Sequence, residues 1–370
     1  MPSYLDALEK ALPVITEHAL AVDKEARFPK ESLAALREAG LMGLISSTDV
    51  GGLGQGLRAA GEVIERIARE CGSTAMVLCM HYCGAAVIEK HGSTESRKKA
   101  SGEELSTLAF SEAGSRSHFW APVSSATADG DDVVLDAHKS WVTSAENAAT
   151  YVWSSQPLSA EGASTIWLVP RAAKGIAIKG PFEGLGLRGN DSSPVTAEKV
   201  RIPKANMLGE DGGGFGVMME TVLPIFNVMN AACTIGLMEG AVQRTIAHVS
   251  GTRYKHLDSA LADLPTIRNY VARMRNKADM ARTLWQDTIA AAEAGRADTM
   301  LRVLQVKATA GETATEVLDL AMRVCGGAAF RRDVGVERYF RDTRAGGIMA
   351  PTTDVLYDFI GKAVCGMDLF

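Results

Sequence analysis

Two short segments carry residue types suited to holding a flat, anionic ligand. Ser111-Glu112-Ala113-Gly114-Ser115-Arg116-Ser117-His118 is a run of small and hydroxyl-bearing residues, and Lys139-Ser140-Trp141-Val142-Thr143-Ser144 follows it. Small side chains let backbone N–H groups approach a phosphate or a flavin ring, a hydroxyl can bond the ring's polar edge, and an indole can cover its face. Taken alone, such segments read equally well as ordinary turns. Between them, residues 126–136 place two apolar runs around Gly130, the pattern of a β-hairpin that leads straight into Trp141. Trp141 and Thr143, two apart on one strand, are expected to share a face. His118 and His138 flank the same region and offer proton donors, although a lone histidine is more often a satisfied surface or loop residue. Cys79 and Cys83 lie on one helix face with His81 between them. With no second ligand pair, core thiols are a better reading than zinc.

The elements that must position these residues fall into three blocks. Residues 1–107 have helical periodicity, with apolar positions at Leu5, Leu8, Ala11 and Leu12, and further helices over 32–39, 59–69 and 73–90. Breaks fall at Phe28-Pro29, across residues 51–56 and at His91-Gly92. The 73–88 stretch is apolar nearly all round, so it is expected to be buried. Over 108–214 the period changes to two, in short runs between Gly, Pro and Asp turns, which predicts an antiparallel sheet domain. Residues 215–370 return to helix, with long segments over 218–249, 260–294 and 297–324. An irregular stretch and a final helix over 353–365 follow. The fold class is α+β, and no internal repeat suggests a solenoid.

Bulk composition narrows the function classes. The chain has 370 residues, 46% of them hydrophobic, 22% charged, and a formal net charge of −5, with no basic block of the kind that binds nucleic acid. Six scattered cysteines without a close pair suit a reducing compartment. The first residues lack a secretory or transit bias and no stretch is expected to span a membrane, so a cytoplasmic location is the expectation.

Several pieces then match one family in order: Arg27-Phe28-Pro29, residues 36–41, Gly51-Gly52-Leu53-Gly54, Ser111-Glu112-Ala113-Gly114, residues 139–144, Cys325-Gly326-Gly327 and Phe340-Arg341-Asp342. The sequence resembles the acyl-CoA dehydrogenase superfamily across nearly its whole length. The resemblance implies an N-terminal helical domain, a middle β-domain and a C-terminal four-helix bundle, assembled as a homotetramer or dimer around FAD, with FMN left open. It implies that Phe110, Ser111 and Ser117 lie beside the flavin, that Trp141 covers the isoalloxazine and that Thr143 bonds near N5. Arg253 and Arg323 with Gly326 and Gly327 would reach the cofactor's pyrophosphate and adenosine across a subunit interface. Arg253 stands about one position out of register, and Arg323 occupies the place of the usual Gln.

Two departures bear on the reaction. The family's catalytic carboxylate abstracts the α-proton of an acyl-CoA while hydride leaves the β-carbon. At its usual place this chain has Ala350, and at the alternate place it has Phe226 beside Asn227. Asp354, Glu220 and His118 are the remaining candidates, although Asp354 reads better as a first-turn carboxylate of a capped helix. The resemblance therefore implies a flavin oxidoreductase acting on an acyl thioester with a displaced or absent base. Its alternatives are a monooxygenase or oxidase using reduced flavin and oxygen, and a catalytically decayed flavin-binding subunit. An electron-transfer flavoprotein or a flavin reductase would be the redox partner.

Overall fold

The computed structural model describes residues 3–116 and 118–369, so Ser117, a candidate cofactor contact, lies outside the described residues. The chain forms two compact units. One comprises Met1–Val63, Met76–Gly184 and Arg188–Phe226; the other comprises Ile64–Ala75, Leu185–Leu187 and Asn227–Phe370.

The helices of the first part of the chain are α1 (Tyr4–Lys24), α2 (Lys30–Glu38), α3 (Leu57–Glu70), α4 (Gly72–His91) and α5 (Thr94–Lys98). Helix α1 opens on a capping box in which Ser3 Oγ accepts from the Asp6 N–H and the Asp6 carboxylate accepts from the Ser3 N–H. Helix α4 is buried along most of its length, as its all-round apolar sequence requires, and Cys79 and Cys83 are buried thiols on it.

Three polar contacts hold α4 in the first unit. Tyr82 donates to the Leu41 carbonyl at 2.6 Å, His81 Nε2 lies 3.1 Å from the Met42 carbonyl, and the Ser106 N–H donates to His81 Nδ1 at 3.1 Å. An Nδ1 that accepts and an Nε2 that donates define a neutral imidazole. Burial accordingly pulls His81 down to about 4, against the opposing pull of the Met42 carbonyl. Because the folded value lies below the unfolded one, the stability His81 contributes is complete above pH 6.5 and is lost as pH falls toward 4. The loss amounts to about 3 kcal/mol. Unfolding free energies from urea titrations at pH 7 and pH 4.5 should differ by about 2.4 kcal/mol more in the wild type than in His81→Asn; equal differences would remove His81 as the cause.

The β-rich part holds two sheets. β1 (Ser106–Ala109), β4 (Thr150–Ser155) and β5 (Thr165–Pro170) form one in the order β1-β4-β5; β2 (Ser125–Asp129), β3 (Asp132–Val142), β6 (Ile176–Ile178) and β7 (Ser193–Pro203) form the other in the order β2-β3-β7-β6. The four-stranded sheet is antiparallel throughout, but β1 pairs with β4 in parallel, which corrects the expectation of a single antiparallel sheet. The β2-β3 hairpin lies between β1 and β4 in sequence, so the chain returns to β4 running in the direction of β1. Leu135, Tyr151, Trp153, Trp167, Val195 and Val200 are among the side chains that fill the core of this region.

After α6 (Gly214–Val217) come α7 (Leu223–Gly251), a short hairpin of β8 (Arg253–Tyr254) and β9 (Ser259–Ala260), α8 (Pro265–Ala294) and α9 (Thr299–Cys325). The stretch expected to be irregular instead holds α10 (Val336–Asp342) and α11 (Arg344–Ile348), before α12 (Thr353–Val364). Helices this short are marginal alone. Tertiary anchors hold the first of them: Arg338 donates to the Glu70 carbonyl at 2.8 Å and the Asp342 carboxylate accepts from the Leu187 N–H at 2.6 Å. Contrary to expectation, the stretch Gly214–Gly251 is long and apolar enough to cross a membrane by length and composition. Its most apolar window is 83% buried inside the protein, the environment of a core helix. In the second unit Arg282 joins Glu65 at 2.7 Å and Glu239 at 3.2 Å, and Arg275 bonds Glu239 at 2.9 Å, so these two buried carboxylates are neutralised.

Candidate functional site

Strand β3 alternates inward and outward as a half-buried strand must, with Val133, Leu135, Ala137 and Lys139 buried and Asp136 and His138 exposed. Continued regularly, this alternation would bury Trp141. Instead the register slips: Lys139 faces Val195 and Val142 faces Ser193, so three steps along β3 match two along β7. The extra residue is a β-bulge, and in it Trp141 takes φ 57° and leaves its side chain 71% exposed. Its indole meets Phe182 edge-on at 6.5 Å between ring centres.

Thr143 lies beyond the end of β3 and is buried while Trp141 is exposed, so the expectation that the two share a face is corrected; the bulge at Trp141, which ends at Val142, is the reason. The Thr143 and Ser192 hydroxyls are 3.0 Å apart. The turn after Thr143 is fixed from the neighbouring segment: the Ser144 N–H donates to the Asn190 carbonyl, the Ala145 N–H to the Asp191 carbonyl, and the Glu146 N–H to the Asp191 carboxylate. Burial raises Asp191 even though Asn147, the Glu146 N–H and Ser193 oppose it. Ser144 Oγ and Asn190 Oδ1 are buried without a hydrogen-bond partner among the described residues.

On the other side of β3, Phe110 is buried and Ser111 is half-buried, and the Ser111 carbonyl accepts from the Ser140 N–H at 2.9 Å. The structure thus brings Ser111 next to the Trp141 bulge. Beneath both lies a buried ion pair that the sequence did not reveal. Lys139 donates to the Glu112 carboxylate, to the Ser154 carbonyl at 2.7 Å and to Ser154 Oγ at 3.0 Å. Glu112 also accepts from the Val123 N–H at 2.7 Å, the Ser124 N–H at 3.1 Å and Ser124 Oγ. Burial works against the Glu112 carboxylate, but the Lys139 charge and these donors outweigh it and hold Glu112 below its ordinary value. The available signal was Lys139 itself, a lysine on the inward positions of a strand.

The other candidates are dispersed. His118 is exposed and lies 5.1 Å, ring to ring, from Trp120; His138 is exposed. Arg253 is exposed and bonds Asp258 at 2.9 Å, and Arg323 is exposed over the Tyr270 ring at 5.0 Å. Gly326 (φ 55°) and Gly327 are exposed at the end of α9, with open space where a Cβ would stand.

None of the positions considered for a base presents a buried, reactive carboxylate. Phe226 is buried and Glu220 is exposed, 3.8 Å from Lys90. Asp354 is exposed in the first turn of α12, where Thr352 caps the helix by accepting from the Val355 N–H. Ala350 sits in a turn held by Lys307, whose ammonium donates to the carbonyls of Gly346 at 3.0 Å, Met349 at 2.9 Å and Pro351 at 2.8 Å. Burial pulls Lys307 down to about 7, and its three carbonyl partners match its three hydrogens.

The residues present fit a flavin. An exposed indole stands on a rigid bulge, a hydroxyl pair adjoins it, and unpartnered polar atoms at Ser144 and Asn190 lie in the neighbouring turns.

Comparison with known proteins agrees with this architecture. Residues 9–103, 107–200 and 212–365 match the sequence models described as the N-terminal, middle and C-terminal domains of acyl-CoA dehydrogenase. The mitochondrial short-chain specific acyl-CoA dehydrogenase of Bos taurus is 30% identical over 349 residues, covering 91% of this chain and 83% of its own. Among solved structures, a glutaryl-coenzyme A dehydrogenase in complex with glutaryl-CoA superposes with a TM-score of 0.91 at 24% identity, covering 99% of this chain and 95% of its own. The FAD complex of PigA superposes with a TM-score of 0.88 at 17% identity, covering 98% and 96%. With three domain matches in order along the chain and a 30% identical relative aligned over nine-tenths of it, this protein belongs to the acyl-CoA dehydrogenase family.

Proposed function

We propose that the protein binds FAD against Trp141 and oxidises an acyl thioester or a related substrate without a carboxylate at either of the family's usual positions. The observation that carries this is the bulge that turns Trp141 out of the core and leaves its indole 71% exposed. When bound, the flavin supplies a two-electron acceptor for hydride. The chain's own residues do the rest. Trp141 shields one face of the ring from water, the Thr143 and Ser192 hydroxyls offer a donor at its edge, and the Ser111 backbone lines the neighbouring side. At the other end of the cofactor, the exposed Arg253, Arg323, Gly326 and Gly327 are assigned to a flavin held by a neighbouring copy of the chain. An electron-transfer flavoprotein would collect the electrons.

Ala350 and Phe226 cannot accept a proton, which favours substrates whose α-proton is unusually acidic or whose reaction needs no α-proton acceptor. The same two residues favour a second reading, an oxygen-using monooxygenase or oxidase that draws on a flavin reductase. The two part in one experiment. Under argon, titration of the oxidised, flavin-loaded protein with a panel of acyl-CoA thioesters is expected to bleach the flavin. If no thioester bleaches it, and substrate-dependent oxygen uptake appears with NADH and a flavin reductase, the second reading replaces the first.

A further inference from the structure

Lys139 occupies an inward position of β3 that follows Val133, Leu135 and Ala137, and its partner Glu112 is equally buried; both side chains are at most 1% exposed. Neither can touch a ligand on the outer surface. We propose that the Glu112–Lys139 ion pair is the positioning device for the cofactor platform, fixing where β3 must bulge so that Trp141 faces outward beside Ser111.

The argument is one of register. Strand side chains alternate, so moving the extra residue of β3 to the N-terminal side of position 139 would swing Lys139 out of the core. Glu112 would then stay behind, buried and without its countercharge, at a cost of roughly 3–5 kcal/mol. All three ammonium hydrogens of Lys139 are engaged, by Glu112, the Ser154 carbonyl and Ser154 Oγ, so the side chain has no second arrangement in place. This slip, distinct from the one between Leu135 and Ala137 whose extra residue lies on β7, is thereby confined between Lys139 and Val142, and Trp141 receives the left-handed backbone. The same carboxylate ties in the segment that bears Ser111. Glu112 bridges to Lys139 across the backbone, and the Ser140 N–H bonds the Ser111 carbonyl. Both walls of the platform are thus set by one pair of charges that touches neither wall's outer surface.

The role rests on flavin binding as proposed above, and two readouts keep the two apart. In a Trp120→Phe background the remaining tryptophans other than Trp141 are buried, so iodide quenching of fluorescence in flavin-free protein reports the exposure of Trp141. FAD affinity, read by flavin fluorescence, reports the platform. The double variant Glu112→Leu/Lys139→Met replaces the pair by apolar groups of similar size and leaves no lone buried charge, but it strands the Val123 and Ser124 N–H groups, so it is expected to fold less stably than the wild type. It is expected to lose iodide access to Trp141 and to bind FAD about tenfold more weakly, a difference of about 1.4 kcal/mol. If the double variant does not fold, Glu112→Gln takes its place; it removes the charge and one of the two acceptor oxygens, the amide oxygen keeping either the Val123 and Ser124 N–H donors or Lys139 and Ser124 Oγ. Iodide quenching equal to wild type in a folded variant would overturn the proposal and leave the pair with a purely structural role. Wild-type protein that binds no FAD would instead sink the flavin assignment, while the quenching result still decides the role of the pair.

Discussion

Ala350→Glu is expected to raise the rate at which an acyl thioester bleaches the protein's flavin by about 10²–10⁴-fold, the usual contribution of a positioned general base. The backbone is prepared to hold the new side chain in place. Lys307 binds the carbonyls of Met349 and Pro351 on either side of position 350, and that of Gly346 earlier in the turn. A carboxylate introduced there inherits a fixed starting point, and geometry is the first requirement of a base. Anaerobic stopped-flow traces with the same thioester panel measure the effect. A folded, flavin-loaded Ala350→Glu variant with unchanged rates would show that position 350 does not face the reacting carbon, or that thioesters are not the substrates.

The second large effect concerns the same turn. Lys307→Ala leaves two buried carbonyls, of Gly346 and Pro351, and the half-buried Met349 carbonyl without their donor, and each buried acceptor costs about 1–3 kcal/mol. Part of that is recovered because a buried ammonium no longer has to be kept from water, so a net loss on the order of 3–5 kcal/mol is expected in urea unfolding. Amide exchange should quicken in residues 344–352 and in the first turn of α12 before it does in α8. A loss below 1 kcal/mol, with exchange unchanged in that turn, would mean that the three carbonyls find other donors or water.

The α4 helix, the β2-β3 hairpin and the long C-terminal helices were legible because their burial repeats with a period that the sequence carries locally. α10 and α11 were not, because their anchors are distant: Arg338 reaches the Glu70 carbonyl, and the Asp342 carboxylate reaches the Leu187 N–H. The candidate site divides in the same way. Trp141 could be picked out by type, but its exposure depends on one extra residue in the pairing of β3 with β7, and strand periodicity read alone placed it on the same face as Thr143. Glu112 and Lys139 each stood in a motif that could be read, yet nothing in either motif says that the two side chains meet. Lys307, one of several charged residues on the long α9, gave no sign that it would hold the turn around Ala350.

The backbone of Trp141 has a consequence for anyone who evolves this protein. A bulky residue at φ 57° sits in a region that costs an L-amino acid roughly 1–2 kcal/mol and costs glycine almost nothing. Trp141→Gly would relieve that strain and remove an exposed aromatic, so selection for heat tolerance alone should enrich it, together with the loss of the surface proposed to hold the flavin. If the flavin rests on Trp141 as proposed, libraries screened only for stability would discard the function first at that position, which has to be held constant or screened under flavin-limited growth.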